Sequence, residues 1–288
     1  MHSEFYDMPG EPVLLSDGSG WLLRCTQFEF GLIPPRPVDS WLPQDYAEQP
    51  DARWPVVYMH DGQNLFDPGL AFGGIDWGVD EAVLDLTVRG EIRGALVVGV
   101  WNSSQRWRDY LPAAYFHSPR AEASRTSLLA ALGGEPLSDA YLRFLCTQLK
   151  PFVDAHFRTL PERASSVVMG SSMGGLVSLY ALTEYPQVFG AAGCVSTHWS
   201  AGGDDLVDLL AARLPSPGGH RLYFDHGTQG LDSQYSPFQQ RMDAHGSAAG
   251  YQHGRDWLSL QFDGADHNEA FWRERVTIRL RFLLAAAD

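Results

Sequence analysis

The segment Gly170-Ser171-Ser172-Met173-Gly174 has the pattern Gly-x-Ser-x-Gly. In hydrolases this pattern presents a nucleophilic serine on a sharp turn between a strand and a helix. The pattern alone is weak, because about one chain in five of this glycine and serine content would contain it by chance. Its position is more specific, since an apolar run (166–170) precedes it and a helical pattern begins near Met173. We therefore predict that Ser172 is a nucleophile.

The two glycines of the pattern have a physical purpose at such a turn. Gly170 and Gly174 lack a Cβ, so neighbouring backbone can come close to a strained Ser172. The start of the following helix adds a positive dipole end where an oxyanion would form. The alternatives are a glycine-rich packing turn and a phosphate-binding turn. The segment has neither the Gly-x-Gly-x-x-Gly nor the Gly-x-x-x-x-Gly-Lys-Ser/Thr spacing, which disfavours phosphate binding.

A serine hydroxyl needs a histidine to take its proton and an acid to orient that histidine. In enzymes with this turn, both partners follow the serine in the chain, the acid first and the histidine second, each after a later strand. His267 comes directly after the apolar run 258–262 and before the last helical pattern. We predict that His267 is the base.

Three aspartates compete to be the acid, because the apolar run 221–225 should deliver it at or just past its end. Asp225 ends this run and could instead accept hydrogen bonds from loop amides. Asp243 lies far along the chain. Asp232 lies a few residues past the run, on a loop free to reach the histidine. We favour Asp232, and Asp225 stays open as the alternative.

Two backbone N–H groups are expected to bind the oxyanion of the tetrahedral intermediate. One belongs to Met173. The other comes from the loop His60-Asp61-Gly62-Gln63-Asn64, which follows the apolar run 56–60, and Gly62 and Gln63 are the candidates. A calcium loop is disfavoured, because this segment lacks the alternating oxygen ligands that calcium requires.

Several short apolar runs are typical of strands buried on both faces of a sheet. They cover residues 56–60, 95–100, 166–170, 191–196, 221–225 and 258–262. Helical patterns separate most of them, with the best at 139–157 and others at 173–185 and 268–284. Strands that alternate with helices predict an α/β fold, with a mostly parallel sheet and helices on both faces.

Three regions depart from this alternation. Residues 12–45 alternate apolar and polar positions and predict leading antiparallel strands. Residues 101–138 predict a long loop or insertion near the active site, which could line a substrate pocket. This segment is rich in Trp, Tyr, Arg, Pro and Gly. Residues 227–255 carry polar side chains where a simple turn would suffice.

Composition favours one domain over residues 1–288, since 44% of the residues are hydrophobic and no low-complexity stretch divides the chain. The formal net charge of −14, without a basic stripe, argues against nucleic acid and anionic membranes as partners. Cys25, Cys146 and Cys194 are widely spaced, which suits buried reduced thiols. The chain start lacks the pattern of a signal peptide. We expect a cytoplasmic protein; its oligomeric state stays open.

Three motifs resemble the putative-esterase family, which includes esterase D, enterochelin esterase, feruloyl esterases and carbohydrate esterase family 1. They are YMHDGQNLFD (58–67), GSSMGG (170–175) and DGADHN (263–268) with Trp272. The resemblance extends from about Arg36 to the end of the chain. It implies a three-layer α/β/α sandwich of the α/β-hydrolase fold, a Ser-Asp-His triad, no metal and no cofactor, and action on carboxylic or thioesters.

Carried over by position, the resemblance makes Ser172 the nucleophile and His267 the base. Many family members place the acid three residues after the glycine of a Gly-Thr turn, but that position is Gly230 here, so Asp232 is an offset match. The resemblance also implies substrate-binding residues near the mouth of the active site. These are Trp101, Asn102, Arg106 and Tyr110, with His198 and Trp199 after a later strand.

Together these features predict a serine carboxylic-ester hydrolase that acts on a small-molecule ester. The substrate classes considered are an acylated sugar, a phenolic ester and a siderophore lactone. The same triad could serve an acyltransferase, in which an alcohol rather than water resolves the acyl-enzyme. A third possibility is a non-catalytic binding protein on the same fold.

Overall fold

A nine-stranded sheet forms the centre of the computed structural model, which describes residues 10–15, 18–29 and 31–285. The strands, in chain order, are β1 Glu11–Leu14, β2 Gly20–Phe28, β3 Arg36–Pro43, β4 Val56–His60, β5 Leu96–Val100, β6 Ser166–Ser171, β7 Ala191–Val195, β8 Arg221–His226 and β9 Trp257–Gln261. Their order across the sheet is β1-β2-β3-β5-β4-β6-β7-β8-β9.

The sheet has an antiparallel part and a parallel part. Strands β1, β2, β3 and β5 pair antiparallel in succession. From β5 through β4 and β6 to β9, every pair is parallel. The leading antiparallel strands and the mostly parallel sheet predicted from the sequence are both present.

The apolar runs form strands because both faces of the sheet are covered. In β4, Val56 and Tyr58 belong to one core cluster, while Val57 and Met59 belong to the cluster on the opposite face. Successive side chains of a strand point to opposite faces, so a continuous apolar run fills two cores at once.

Eleven α-helices occur in the described residues and form the two outer layers. They are α1 Val79–Val88, α2 Arg106–Tyr110, α3 Ala113–Phe116, α4 Arg125–Leu132, α5 Ser138–Phe144, α6 Lys150–His156, α7 Met173–Glu184, α8 Gly203–Ala211, α9 Ser236–Ala249, α10 Glu269–Glu274 and α11 Val276–Leu283. Helices α1, α10 and α11 bury their apolar residues in one cluster, and α5 to α9 bury theirs in the other. The predicted three-layer α/β/α fold is confirmed.

Local differences from the sequence prediction have identifiable causes. The helix predicted at 139–157 comprises α5 and α6, joined by a π-helical turn at Leu145–Leu149. The helix predicted at 268–284 is two helices separated at Arg275, whose φ is −110° and ψ is 0°. Residues 101–138 contain the short helices α2, α3 and α4 instead of a structureless loop.

Helix α9 continues the strand-helix alternation in a region where the sequence showed none. Only Gln239, Met242 and Gly246 are buried among its residues. With so few buried side chains, this helix has no continuous apolar stripe, which is the signal that sequence patterns rely on.

Two further observations concern the thiols and the membrane. The three cysteines are free; Cys146 and Cys194 are buried and Cys25 is partly exposed. Burial raises the pKa of the Cys146 thiol to about 12. In the part of the chain that the structure describes, no helix is both long enough and apolar enough to span a bilayer.

Candidate active site

The predicted catalytic residues meet at one edge of the sheet, where the parallel strands end. Ser172 follows β6, Asp232 follows β8 and His267 follows β9, while the predicted oxyanion loop follows β4. The carboxyl edge of a parallel sheet is where open α/β folds bind their ligands, because the loops after neighbouring strands converge there.

Ser172 has the strained backbone expected of a nucleophile at a strand-to-helix turn. Its φ is 58° and its ψ is −120°, and it precedes the first residue of α7. The Ser172 N–H donates to the carbonyl of Val195 in β7 (2.8 Å), and its own carbonyl accepts from His198 N (3.1 Å). Such a conformation costs about 1–3 kcal/mol and persists only where surrounding contacts hold it.

The glycines around Ser172 allow α7 to start directly against the sheet. A Cβ on Gly170 would lie 2.9 Å from the carbonyl carbon of Gly174, and one on Gly175 would lie 3.0 Å from the backbone nitrogen of Val195. Real Cβ atoms essentially never come nearer than 3.0 Å to such atoms, so the turn requires glycine at the first position.

The closest contact in the site joins Asp232 and His267. The distance from Asp232 Oδ1 to His267 Nδ1 is 2.5 Å, and the Asp232 side chain is fully buried. Its second oxygen, Oδ2, accepts from the Ser196 hydroxyl (2.7 Å) and from the Gly227 N–H (2.6 Å). Asp232 therefore orients the imidazole while both of its own oxygens are satisfied.

Hydrogen bonding keeps Asp232 ionised despite its burial. Burial alone would raise its pKa, but the hydrogen bonds from His267, Gly227 and Ser196 hold the pKa of this carboxyl below its usual value. The Ser196 hydroxyl accepts in turn from Trp272 Nε1 at 3.0 Å. A carboxylate at this position favours a proton on the facing nitrogen of His267.

The competing aspartates have other partners. Asp225 is buried and accepts from Arg279 Nε (2.8 Å) and from the Tyr223 hydroxyl (2.7 Å). Asp243, on α9, accepts from the indole of Trp257 at 3.0 Å. The structure thus brings Asp232 to the histidine and directs the other two carboxylates elsewhere.

His198 and Tyr235 lie near both Ser172 and His267. In the described ranges the Ser172 hydroxyl makes no hydrogen bond to His267. The backbone N–H of His198 donates to the Ser172 carbonyl, and His198 Nδ1 shares a hydrogen bond with the Tyr235 hydroxyl (2.8 Å). The centroid of the Tyr235 ring lies 5.8 Å from that of the His267 ring. Free enzymes often form the nucleophile-base hydrogen bond only when substrate is bound.

The loop after β4, which the sequence predicts to supply an oxyanion donor, has a constrained backbone. Asp61 is in the left-handed region (φ 59°, ψ 46°), and residues Gly62–Asn64 form a single 3₁₀ turn. A Cβ on Gly62 would lie 2.5 Å from the carbonyl carbon of Gly99 in β5, so only glycine fits there. Met173, across the cleft, is the first residue of α7, and its N–H has no partner within the helix.

The residues predicted to bind substrate after β5 differ in exposure. Trp101 is partly exposed and donates from Nε1 to Asp39 (2.9 Å). Asn102 and Arg106 are also partly exposed, but both direct hydrogen bonds to Asp61. Tyr110 is fully buried beneath them, and its hydroxyl accepts from Asp61 N at 3.3 Å.

His198 and Trp199 also differ in exposure. His198 is partly exposed and lies edge-on to Trp107, with ring centroids 5.4 Å apart. Burial, with smaller contributions from the charges of His267 and Arg106, lowers the pKa of His198 to about 4. Trp199 is buried, stacks on Phe224 and donates from Nε1 to Gln239, so it lies behind the site surface.

Two features of the site were not predicted from the sequence: the hydrogen bond from the Ser196 hydroxyl to Asp232 and the hydrogen bonds to the Asp61 carboxylate. Asp61, Ser172 and Ser196 are the three residues other than glycine with positive φ in the described chain. They follow or end β4, β6 and β7, which lie side by side. A small polar residue after a strand carries no sequence signal strong enough to reveal such a role.

Across residues 10–15, 18–29 and 31–285, no three His, Cys, Asp or Glu side chains come together as a metal site would require.

Comparison with known proteins agrees with an α/β-hydrolase fold and identifies a family. A family model described as "Putative esterase" matches residues 34–283. The chain belongs to this family, and it is an esterase. The uncharacterized protein YbbA of Bacillus subtilis (strain 168) is 22% identical over 249 residues, which are 84% of this chain and 90% of that protein.

Solved structures share the fold. An IroE-like serine hydrolase from Shewanella oneidensis is similar with a TM-score of 0.71 and 19% identity, covering 91% of this chain and 80% of that one. The enterobactin esterase FES from Shigella flexneri, in the presence of 2,3-dihydroxy-N-benzoyl-glycine, has a TM-score of 0.62 and 17% identity. That similarity covers 98% of this chain and 62% of the enterobactin esterase.

Proposed function

We propose that this carboxylic-ester hydrolase acts through an acyl-enzyme on Ser172, with His267 as the base and Asp232 as the acid. The observation that carries the proposal is the 2.5 Å contact between Asp232 Oδ1 and His267 Nδ1, made by a fully buried carboxylate. In the proposed mechanism the proton of His267 lies on Nδ1, facing the carboxylate, and Nε2 is the nitrogen able to accept one.

The chemistry follows from these roles. His267 Nε2 takes the Ser172 proton while the serine oxygen attacks the ester carbonyl carbon. The carbonyl oxygen becomes an oxyanion, which the N–H of Met173 and an N–H of Gly62 or Gln63 would bind. When the intermediate collapses, His267 gives the proton to the leaving alcohol, and water then cleaves the acyl-enzyme by the same steps in reverse.

The proposed substrate is a small-molecule ester: an acylated sugar, a phenolic ester or a siderophore lactone. The exposed aromatic side chain of Trp107 supports a substrate with an apolar or planar group. Trp107 contacts His198, whose backbone N–H donates a hydrogen bond to the Ser172 carbonyl. The likeness to an enterobactin esterase is consistent with a phenolic acyl group.

We also propose that the chain is one catalytic domain and that its working partners are small molecules. The net charge of −14 would repel both nucleic acid and anionic membranes, so neither is proposed as a partner.

Labelling with a fluorophosphonate probe tests the serine mechanism. The wild-type protein should be labelled at Ser172, and Ser172→Ala should lose both the label and ester hydrolysis. Ser171→Ala is the matched control, because it removes the neighbouring hydroxyl and should keep the label. A folded wild type that stays unlabelled would refute the proposal.

A panel of acetyl, feruloyl, longer acyl and thioester substrates, ranked by kcat/KM, would identify the acyl group. Added alcohol acceptors test the acyltransferase alternative. Transfer that exceeds hydrolysis at low acceptor concentration would replace hydrolysis as the main activity.

A further inference from the structure

The oxyanion loop adopts a backbone conformation that it would not keep unaided. Asp61 has φ 59° and ψ 46°, a region that residues with a Cβ seldom occupy and that aspartate tolerates better than most. The residue is buried, so neighbouring contacts rather than solvent must hold it.

Those contacts come from the segment that follows the adjacent strand β5. Arg106 binds both oxygens of the Asp61 carboxylate, Nε to Oδ1 and Nη2 to Oδ2, each at 2.7 Å. Asn102 adds a third hydrogen bond, from Nδ2 to Oδ1 at 2.7 Å. The planar guanidinium fits a carboxylate at two points, which fixes its orientation as well as its position.

The same segment also holds the far side of the loop. The Asn102 N–H donates to Gln63 Oε1 at 3.2 Å, and the Asp61 N–H donates to the Tyr110 hydroxyl at 3.3 Å. Asp61 and Gln63, the residues on either side of Gly62, are thus both anchored to this segment.

The position of the Asp61 charge creates a second requirement. A Cβ on Gly174, the second residue of α7, would lie 3.4 Å from Asp61 Oδ2. The oxyanion would form beside the same helix start, so a bare carboxylate there would oppose the charge of the transition state. Arg106 neutralises that carboxylate. Burial disfavours charge on Asp61, yet the Arg106 contact holds the pKa of Asp61 below its usual value.

We infer that Arg106 is a positioning residue for ester hydrolysis. It acts through Asp61 to hold the loop Gly62–Asn64 in its oxyanion-binding form, and it neutralises the Asp61 carboxylate beside that loop. This inference rests on the proposed serine mechanism. It gives Arg106 and Asn102 a role in transition-state stabilisation rather than direct contact with substrate.

The test compares kcat and KM of the full chain with p-nitrophenyl acetate. Arg106→Gln, which leaves Asp61 without its cation, should lower kcat per active site about 100-fold, while KM changes less than about threefold. Arg106→Lys keeps the charge but not the two-point contact, and should lose about tenfold. The control is Arg120→Gln, an exposed arginine of the same segment paired with Asp205, which should keep kcat within about twofold.

Inhibition by a trifluoromethyl ketone distinguishes oxyanion binding from a merely structural role of Arg106. The adduct of this inhibitor with the serine carries an oxyanion, so its inhibition constant reports on the oxyanion-binding loop. Its inhibition constant should rise in Arg106→Gln by the same factor as kcat/KM falls. The inference is overturned if kcat per active site stays within about threefold of wild type, or if the inhibition constant is unchanged. Should Arg106→Gln fail to fold, Arg106→Lys decides by the same two measurements. Ester hydrolysis that survives in Ser172→Ala would instead contradict the serine mechanism, whatever Arg106 does.

Discussion

Two buried aspartates flank Ser172, and their partners differ in charge. Asp232, after β8, accepts hydrogen bonds from His267, a hydroxyl and a backbone N–H. Asp61, after β4, accepts from an amide and from both arms of a guanidinium. Within the described residues, Asp232 thus forms no salt bridge with an arginine or lysine, whereas the charge of Asp61 is cancelled by Arg106.

The difference matches what the proposed mechanism requires on each side of Ser172. On the His267 side, that mechanism forms a positive imidazolium, which an uncancelled carboxylate stabilises. On the loop side, negative charge develops on the substrate oxygen, so a carboxylate is tolerable only when neutralised. The same residue type therefore serves opposite electrostatic needs on the two sides of one serine.

The largest expected effect is that of Asp232→Asn. The amide keeps the shape of the side chain but cannot stabilise the imidazolium or enforce the required tautomer, so kcat should fall about 10⁴-fold. Steady-state kinetics with a thermal unfolding midpoint would separate this from misfolding. A near-wild-type rate would remove Asp232 from the triad. Asp243→Asn, a carboxylate of α9 away from His267, should retain activity and serves as the control.

Asp61→Asn should have a smaller effect, about 30-fold on kcat, because the loop loses its two-point contact and an unpaired guanidinium remains. The double variant Asp61→Asn/Arg106→Gln removes both charges and tests the cancellation directly. Its kcat should exceed that of Arg106→Gln alone, as a double-mutant cycle would show. Purely additive losses would mean that charge cancellation is unimportant on this side.

Asp225→Asn extends the comparison to a third buried aspartate, whose side-chain partners lie outside the proposed triad. Asp225 and Arg279 are both fully buried and paired at 2.8 Å, so breaking the pair should destabilise the fold by about 3 kcal/mol. The kcat of the folded fraction should change less than about twofold. Urea unfolding measures the first quantity and active-site-normalised kinetics the second. A loss of kcat as large as that of Asp232→Asn would contradict the division of roles.

The smallest expected effect is a pH dependence of stability from His198. Its pKa in the folded protein is about 4, below its ordinary 6.5, so the unfolded chain binds a proton more readily than the folded one. This contribution to stability is complete above about pH 6.5 and is lost as the pH falls towards 4. His198→Gln should therefore show a shallower fall of the unfolding midpoint on acidification than wild type. The exposed His253→Gln should match the wild-type slope.

The sequence was informative wherever local pattern alone decides the structure. The apolar run 56–60 coincides with β4, and the predicted nucleophile turn lies between β6 and α7. Both depend on short-range chemistry, namely burial on two faces and glycines at a sharp turn. The order of the predicted acid and histidine placed Asp232 and His267 after later strands, and in the structure they follow β8 and β9.

The choice between Asp225 and Asp232 needed contacts that sequence order does not contain. Asp225 is directed away from the site by Arg279, which lies 54 positions along the chain on α11. The partnership of Asp61 with Arg106 joins residues 45 positions apart and depends on α2, a five-residue helix too short to show periodicity. Long-range pairing of charged side chains of this kind depends on tertiary packing.

The three left-handed residues at the ends of β4, β6 and β7 have a consequence for laboratory evolution. Each holds a conformation that glycine would adopt without a Cβ clash, so glycine at Asp61, Ser172 or Ser196 would relieve local strain. Glycine at Asp61 or Ser196 would also lose buried hydrogen bonds, which offsets that relief. The Ser172 hydroxyl has no hydrogen-bond partner within the described residues, so selection for thermal tolerance alone would favour glycine at Ser172, whereas selection for turnover would keep the serine of the proposed mechanism.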